Sequence, residues 1–374
     1  MSEPFPERFG RYTLLQRVAV GGMAEILLAI EDTPHAGKRF VTIKRIRKEH
    51  AHDPDYIDFF ISEGRVSLRC SHPNLTSSFD LDTVEGVHYL AMEYIRGHTL
   101  LELIRTGHRQ SRLLTPATSL RIASEVTAAL HHLHGMRDLE GKPMGVIHRD
   151  VTPQNIMIDA KGEVKLIDFG IARSEVQVHK TQAGTVKGKL SYIAPEQLDM
   201  QTTLDQRADI FSLGIVLYES LTARGLFRGV DDADTLDRIA NLPIPLVADL
   251  RSDVPPEVDR VLQRAMERDL SQRYQSAREL YSAIDALSAV IPPATQESLR
   301  DEVLEICGDP PVPILGGGAF SALRSALRGS EDRSSAPEET DLDYYLKRGG
   351  VNTEEAASAD ADLDALESEE TNKE

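Results

Sequence analysis

The stretch HRDVTPQN at residues 148–155, followed by IDFG at residues 167–170, decides the fold of this chain. It places the carboxylate of Asp150, the amide of Asn155 and the carboxylate of Asp168 at separations of 5 and 13 residues. Two short apolar runs between them flank a polar turn, a pattern that predicts a β-hairpin. Because a hairpin brings its two ends together, the three oxygen-bearing side chains should surround one small volume. Oxygen ligands of this kind suit Mg²⁺, and a carboxylate beside them can accept a proton from an attacking hydroxyl.

The length of 374 residues and the hydrophobic content of 41% predict one large or two ordinary domains with a tail. The apolar runs are far shorter than the roughly 20 residues of a membrane helix. The N-terminus shows no positively charged segment leading into an apolar one. Cys70 and Cys307 lie far apart and match no metal-ligand spacing, which indicates reduced thiols. These features predict a cytoplasmic protein without a membrane partner.

The net charge of −18 is unevenly distributed along the chain. Residues 330–374 contain 15 Asp and Glu but only 4 Lys and Arg. An acidic chain argues against a nucleic-acid partner, because phosphate backbones bind Lys and Arg. The short basic run KRIRK at residues 44–48 is interpreted as a strand edge with a solvated face, not as a binding patch.

Hydrophobic periodicity predicts an α+β fold, with a β-rich unit over residues 11–95 and mainly helices from Thr99 onward. The predicted strands are Tyr12–Val18, Ile26–Ile30, Phe40–Arg45, Leu75–Leu81 and Val87–Glu93, with one helix over Tyr56–Cys70. The later predicted helices are Leu120–His134, Ile210–Leu221, Pro255–Arg268 and Ser276–Leu287. Thr115-Pro116 is typical of an N-cap followed by proline at the first helical position. Ile210–Leu221 is apolar nearly all round, which predicts a buried helix.

Beyond residue 287 the pattern weakens. We expect a linker over residues 288–329 with a weak amphipathic helix at Glu297–Ile306, and then an acidic, disordered tail over residues 330–374. The tail is interpreted first as a solubilising segment. The alternative is a docking arm around LDYYL at residues 342–346, which would bind a soluble regulator.

The HRDVTPQN and IDFG sequences together resemble the catalytic loop and metal-binding turn of bacterial eukaryotic-like (Hanks-type) serine/threonine protein kinases. The resemblance spans residues 12–287 and implies a bilobal protein kinase-like fold. It implies a β-rich N-lobe over about 12–92, a hinge at 93–97 and a helical C-lobe over 98–287. The implied activity is ATP- and Mg²⁺-dependent transfer of the γ-phosphate to Ser/Thr hydroxyls of proteins, with autophosphorylation, in bacterial signal transduction.

The resemblance also assigns roles to single residues. Asp150 would orient the substrate hydroxyl and accept its proton, while Asn155 and Asp168 would hold Mg²⁺. His148 is interpreted as a packed core histidine. VTIK at residues 41–44 resembles the V-A-I-K strand, so Lys44 would clamp the phosphates and Glu63 would be its partner.

The sequence VAVGGMAEI at residues 18–26 occupies the place of the glycine-rich loop. The positions implied to contact nucleotide are Val18, Ala19, Gly21, Gly22, Ala24 and Ile26. Ala19 and Ala24 stand where the family has its first and third glycines, so this segment alone would be read as a plain hairpin turn. The backbone of Glu93 and Ile95 would pair with the adenine edge.

Two positions depart from the family pattern together. The family has lysine two residues after the catalytic aspartate and threonine after the glycine of the segment that precedes A-P-E; here these are Thr152 and Lys189. One hypothesis is that the two side chains are exchanged, with Lys189 supplying the ammonium near the γ-phosphate and Thr152 the hydroxyl. The alternative is that Thr152 is tolerated and Lys189 points to solvent.

The segment around APE at residues 194–196 favours a protein substrate over a small molecule, because small-molecule kinases generally lack this segment and its anchors. Glu196 would form a buried ion pair with Arg273. Asp209 would brace the catalytic loop.

Phosphorylation could activate the protein through the same region. Thr185 and then Thr181 are the phosphosite candidates, and a phosphate there could dock on Arg149. TPQ at residues 152–154 does not resemble the corresponding sequence of tyrosine-specific enzymes.

The second interpretation is a nucleotide-binding pseudokinase or scaffold that recruits partners through its tail. The departures at Ala19, Ala24, Thr42 and Thr152 support it. Against it stands the complete set of catalytic side chains, which a chain freed from catalysis has no physical reason to keep.

Overall fold

Strands occupy most of the chain up to Glu93 and helices most of it afterwards in the computed structural model, which describes residues 5–33, 37–168, 189–198 and 203–310. The strands are β1 (Glu7–Phe9), β2 (Tyr12–Val20), β3 (Ala24–Thr33), β4 (Gly37–Ile46), β5 (Ser78–Val84), β6 (Val87–Glu93), β7 (Gly97–Thr99), β8 (Ile156–Asp159) and β9 (Val164–Leu166). The helices are α1 (Pro54–Arg69), α2 (Leu100–Arg109), α3 (Pro116–His134), α4 (Arg207–Thr222), α5 (Asp232–Asn241), α6 (Val247–Leu250), α7 (Pro256–Ala265), α8 (Ala277–Ala286) and α9 (Gln296–Cys307). The predicted α+β class is confirmed.

The described residues fall into two compact units, and the first is a strand unit made of residues 5–20, 25–33 and 37–43. In it β1, β2, β3 and the larger part of β4 follow one another across the sheet. The β1–β2 and β2–β3 pairs are antiparallel. Tyr12, Leu14 and Leu27 are fully buried, so the apolar positions of these strands face the unit's core.

The second unit contains residues 21–24 and the described residues from 44 to 310, and its centre is helix α4. Every residue of α4 from Ala208 to Thr222 is buried, as its all-round apolar sequence predicts. Helix α3 packs against α4 and α8, and α4 packs against α7. A Cβ at Gly214 would lie 2.7 Å from a side-chain carbon of Met266, so glycine permits the close approach of α4 to the end of α7. Although α4 is so deeply buried, no helix in the described ranges is long and apolar enough to cross a membrane.

Helix α3 begins as the sequence predicts. The Thr115 hydroxyl accepts the N–H of Thr118 at 3.2 Å, and Pro116 occupies the first helical position. The bond satisfies one of the N–H groups that have no partner within the helix, and the fixed φ of proline suits its position.

Two sequence predictions in the second unit are wrong. Strand β5 begins at Ser78 and not at Leu75, because the chain around Leu75 pairs with the end of β9, where Leu166 N–H donates to the Asn74 carbonyl at 2.9 Å. The basic run at residues 44–48 does not have the predicted solvated face, because Arg45 is only 2% exposed and the neighbouring Lys44 side chain is only 12% exposed.

The predicted hairpin between Asn155 and Asp168 is present as β8 and β9. The N–H of Gly162 donates to the Asp159 carbonyl at 3.0 Å, and Gly162 has φ +82°, a conformation that favours glycine. Strand β7 pairs with the outer side of β8. Strand β8 therefore has a hydrogen-bonded neighbour on each side.

Helix α9 lies in the segment that the sequence assigns to a linker with a weak helix. It packs against α2 and contacts β8. Glu302 is buried, and its carboxylate accepts hydrogen bonds from the Thr115 N–H at 2.7 Å, the Thr115 hydroxyl at 2.8 Å and the Thr118 hydroxyl at 2.6 Å. Leu299, Val303 and Ile306 are buried beside it. The helix is therefore bound to the start of α3 by both polar and apolar contacts.

Replacing Glu302 with alanine should lower the free energy of unfolding by about 2–3 kcal/mol, because it leaves buried N–H and hydroxyl groups without their charged acceptor. Chemical denaturation of the full chain measures this value. Glu305→Ala is the matched control on the same helix. The Glu305 carboxylate is 60% exposed and pairs with Arg112, so its loss should cost less than about 1 kcal/mol. Equally small losses for both variants would contradict a docked α9.

Candidate active site

The backbone beside Asp150 and at Asp168 is held in a conformation that residues other than glycine rarely adopt. Arg149 has φ +65° and Asp168 has φ +53°. The carboxylate of Asp209, in the first turn of α4, accepts the backbone N–H groups of His148 and Arg149, each at 2.8 Å. These bonds hold the strained peptide in front of Asp150, and the predicted bracing position of Asp209 is confirmed.

The pKa of the Asp209 carboxylate is set by burial and by two histidines. Burial would raise the pKa of Asp209, but hydrogen bonds and charge from His134 and His148 outweigh it, so the pKa is lowered. The His134 Nε2 lies 2.8 Å from Asp209 Oδ2. Burial lowers the pKa of His148, which is fully buried. His148 is therefore a packed core histidine, as predicted.

The hairpin brings Asp150, Asn155 and Asp168 into one place. The Asn155 amide nitrogen donates to the backbone carbonyl and to Oδ2 of Asp150, both at 2.8 Å. The N–H of Ile167 donates to the Asn155 backbone carbonyl at 2.8 Å, which fixes Asp168 as the next residue along. Three side chains separated by up to 18 positions thus share one corner of the second unit.

The donor chemistry of this corner fits Mg²⁺. Because the Asn155 amide nitrogen is engaged by Asp150, its oxygen is the atom that remains for a ligand, and the Asp168 side chain is 37% exposed. Within the described ranges no group of three or more His, Cys, Asp and Glu side chains forms a ready cation site. Mg²⁺ commonly takes only one or two protein carboxylates and completes its shell with water and substrate phosphates.

Lys44 lies against two carboxylates on the same side of the corner. Its ammonium forms an ion pair with Glu63 of α1 and lies 3.4 Å from Asp168 Oδ1. Burial alone would lower the pKa of Lys44, but the charges of Glu63 and Asp168 outweigh it and the pKa is raised. The predicted pairing of Lys44 with Glu63 is present, and it keeps the ammonium charged and oriented.

The turn between β2 and β3 is closed by a 2.8 Å hydrogen bond from the Gly21 N–H to the Ala24 carbonyl. Arg47 holds the carbonyl side of this turn, since its guanidinium donates to Gly21 at 3.2 Å and to Gly22 at 3.5 Å. Its own N–H donates to the Met23 carbonyl at 3.0 Å. Arg47 was not among the predicted site residues, because it lies three residues beyond the strand that resembles V-A-I-K.

The remaining positions of the predicted nucleotide loop belong to the first unit. Ala19 faces Ile26 in the β2–β3 register, and Val18 is 58% exposed. Contacts from these residues to a nucleotide stay predictions.

The predicted hinge follows β6. The Glu93 N–H donates to the Ser77 carbonyl at 2.9 Å, and its carboxylate accepts the Ser77 N–H at 2.7 Å and lies 3.2 Å from the Lys165 ammonium. These three contacts hold Glu93 in place at the end of the strand. The adenine contacts of Glu93 and Ile95 stay predictions.

The two residues that depart from the family pattern differ sharply in their surroundings. The Lys189 ammonium lies 2.7 Å from Asp150 Oδ2, and its side chain is 36% exposed. Thr152 is 1% exposed, and its hydroxyl makes no hydrogen bond within the described part of the chain. Lys189 therefore reaches the Asp150 carboxylate, whereas the Thr152 hydroxyl does not bond to it, and the hydroxyl half of the exchange hypothesis stays a prediction.

The segment 189–198 is anchored to the helices below it. The Arg273 guanidinium lies 2.5 Å and 3.1 Å from the two carboxylate oxygens of Glu196, and both side chains are buried. The predicted pair is confirmed. A second anchor was not predicted: the Tyr192 hydroxyl donates to Glu219 at 2.6 Å, and burial raises the pKa of Glu219 to about 7.

Several predicted positions lie outside the described residues. These are Phe169, Gly170, Gly188, the phosphosite candidates Thr181 and Thr185, and the acidic tail with its LDYYL sequence.

The protein kinase domain profile matches residues 12–283 of this chain. Among curated proteins, the chain is 34% identical over 282 residues to the tyrosine-protein kinase MasK of Myxococcus xanthus, which covers 75% of this chain and 44% of that protein. It is 32% identical over 275 residues to the serine/threonine-protein kinase PrkC of Bacillus subtilis, covering 74% and 40%. The chain thus spans less than half the length of either relative.

Solved structures give the same fold. The kinase domain of Mycobacterium tuberculosis PknI superposes with a TM-score of 0.58 at 24% identity, covering 77% of this chain and 100% of that one. At this identity the likeness concerns the fold alone.

Proposed function

We propose, from the premise that this chain belongs to the protein kinase family, that it transfers the γ-phosphate of ATP to Ser/Thr hydroxyls of proteins. The observation that carries the proposal is the assembly of Lys44, Glu63, Asp150, Asn155 and Asp168 around one corner of the second unit. A scaffold that only recruits partners has no use for this complete set.

Each side chain has a separate task in the transfer. An acceptor oxygen forms a bond to the γ-phosphorus while the bond from that phosphorus to the bridging oxygen breaks and ADP leaves. Asp150 orients the hydroxyl and takes its proton. Asn155 and Asp168 hold Mg²⁺, which when bound neutralises phosphate charge. Lys44, held by Glu63, keeps the α- and β-phosphates in place.

Serine/threonine specificity is supported by TPQ at residues 152–154 and by the similarity to PrkC, a serine/threonine-protein kinase. Tyrosine specificity is the second candidate, because MasK is named a tyrosine-protein kinase. Protein substrates, rather than small molecules, are supported by the anchored segment 189–198, in which the Glu196–Arg273 pair is buried. A regulator that binds the tail stays a proposal.

The catalytic unit extends to Pro310 in this proposal, beyond the family match that ends at residue 283. Helix α9 supports this boundary, because its buried Glu302 binds the start of α3. The acidic residues 330–374 would then form a separate tail.

The test is transfer of labelled γ-phosphate from ATP–Mg²⁺ to the chain itself and to casein, followed by phosphoamino-acid analysis. We expect label on serine and threonine, reduced by roughly 10²–10⁴-fold in Asp150→Asn because the proton acceptor is lost. Label on tyrosine alone would move the specificity to the second candidate. Folded protein that binds ATP and transfers no label, with or without added cell extract as a source of activators, would contradict the proposal and favour a scaffold.

A further inference from the structure

We infer that Lys189 is a catalytic residue, which supplies beside the γ-phosphate the ammonium that the family normally places two residues after its catalytic aspartate. This inference rests on the proposed function and deepens it. In the family pattern that ammonium comes from the catalytic loop itself. Here it comes from the segment that carries Ala194-Pro195-Glu196.

The first support is the position of the ammonium. Lys189 Nζ lies 2.7 Å from Asp150 Oδ2, the same oxygen that accepts the Asn155 amide at 2.8 Å. Asp150 is 8% exposed, whereas the Lys189 side chain is 36% exposed. The ammonium therefore stands between the buried carboxylate and the open side of the corner, from which phosphate and acceptor must approach.

The second support is the environment of Thr152. A residue that is 1% exposed and has a hydroxyl without a hydrogen-bond partner in the described ranges supplies neither charge nor a donor to Asp150. A lysine at this position would need space for four methylene groups and would bring a second ammonium toward Lys189. Thr152 fills the position with a small side chain, and the cation is supplied from elsewhere.

The third support is the anchoring of the segment behind Lys189. The Ser212 hydroxyl on α4 donates to the Tyr192 carbonyl at 2.7 Å, three residues after Lys189. The Glu196–Arg273 pair fixes the same segment further on. Because the ammonium is attached to this segment and not to the catalytic loop, catalysis requires the segment to occupy this position. An inactive arrangement of the segment would remove both the substrate platform and the cation.

The chemistry needs no proton from Lys189. The hydroxyl proton passes to Asp150, and the Lys189 ammonium stays charged while it neutralises charge on the γ-phosphate oxygens. Loss of a donor of this kind from an organised site typically lowers kcat by about 10²–10³-fold. The opposite assignment, a lysine that blocks Asp150 until it is displaced, predicts that removal of Lys189 raises kcat.

The experiment compares Lys189→Met, Lys189→Arg, Lys189→Thr, Thr152→Lys and the double variant Thr152→Lys with Lys189→Thr by steady-state phosphoryl transfer. Lys189→Met should lower kcat by roughly 10²-fold, with the KM for ATP–Mg²⁺ changed by less than about 3-fold. Lys189→Arg should recover at least a tenth of the activity. The double variant should exceed the product of the two single effects by about tenfold or more. Lys142→Met is the matched control, because Lys142 is exposed and its backbone belongs to a turn that is paired with Asp138.

If buried Thr152→Lys does not fold, chemical rescue replaces the cycle. Lys189→Cys treated with 2-bromoethylamine regains an ammonium and should regain kcat, with equally treated wild type as the control. Unchanged or raised kcat in Lys189→Met, or no rescue, would overturn the inference. A wild type without transfer would instead contradict the proposed function. Activity that Asp150→Asn abolishes and Lys189→Met retains would remove only the role of Lys189.

Discussion

Replacing Lys44 with methionine should lower kcat/KM for phosphoryl transfer by roughly 10²–10³-fold while the protein stays folded. The ammonium lies between Glu63 and Asp168, and those two carboxylates keep its pKa raised. Methionine preserves most of the side-chain volume but no charge, so the phosphates lose the group that positions them. The loss should exceed that of Glu63→Gln, which leaves the ammonium beside Asp168.

The measurement is the rate of label transfer at several ATP concentrations, together with the melting temperature of each variant. Lys161→Met is the matched control, since Lys161 is exposed in the turn between β8 and β9. We expect wild-type kinetics for the control. Normal kinetics for Lys44→Met would show that another group holds the phosphates and that the assignment of Lys44 is wrong.

The largest effect on stability is expected at the ion pair between Glu196 and Arg273. Glu196→Ala should lower the free energy of unfolding by about 3–5 kcal/mol, because it leaves a fully buried guanidinium without its counter-charge. Arg273 cannot move to solvent easily. It also donates to the carbonyls of Glu267 at 2.7 Å and Arg207 at 2.9 Å, and it lies over the ring of Phe211 at 4.9 Å.

Urea denaturation of the full chain tests this expectation. The double variant Glu196→Ala with Arg273→Met should regain part of the loss, since no charge is then left buried. Glu257→Ala is the control, because it removes only an exposed partner of Arg260 and should change stability far less. A Glu196→Ala variant as stable as the control would mean that the pair adds nothing to the fold.

Local sequence patterns predicted the elements that are decided within a few residues. The β8–β9 hairpin follows from two apolar runs around a polar turn, and the start of α3 follows from Thr115-Pro116. The burial of α4 follows from a sequence that is apolar on every side. The residues that decide each of these elements lie close together in sequence, so their backbone preferences and hydrophobic pattern are enough to predict it. The predicted strand begins at Leu75, three residues too early, because the chain around Leu75 forms its hydrogen bonds with Leu166, far along the chain.

The family resemblance also predicted most residues of the corner. It implies a known three-dimensional arrangement of residues that are far apart in sequence, whereas hydrophobic periodicity indicates only local structure. The residues that the motifs predict for the site are Lys44, Glu63, Asp150, Asn155 and Asp168. Where this chain departs from the family, the motif gave two alternatives for Lys189 and no means to choose.

Only the tertiary structure shows which partners Lys189, Arg47 and Glu302 have. The Lys189–Asp150 contact spans 39 positions, the bonds from Arg47 to the glycine turn span 25 and 26, and the bonds from Glu302 to Thr115 span 187. A charged side chain looks the same in sequence whether it ends in solvent or against a buried carboxylate. Its partner is fixed by how the helices and strands pack, because Coulomb attraction and hydrogen bonds act over a few ångströms of space and not along the chain.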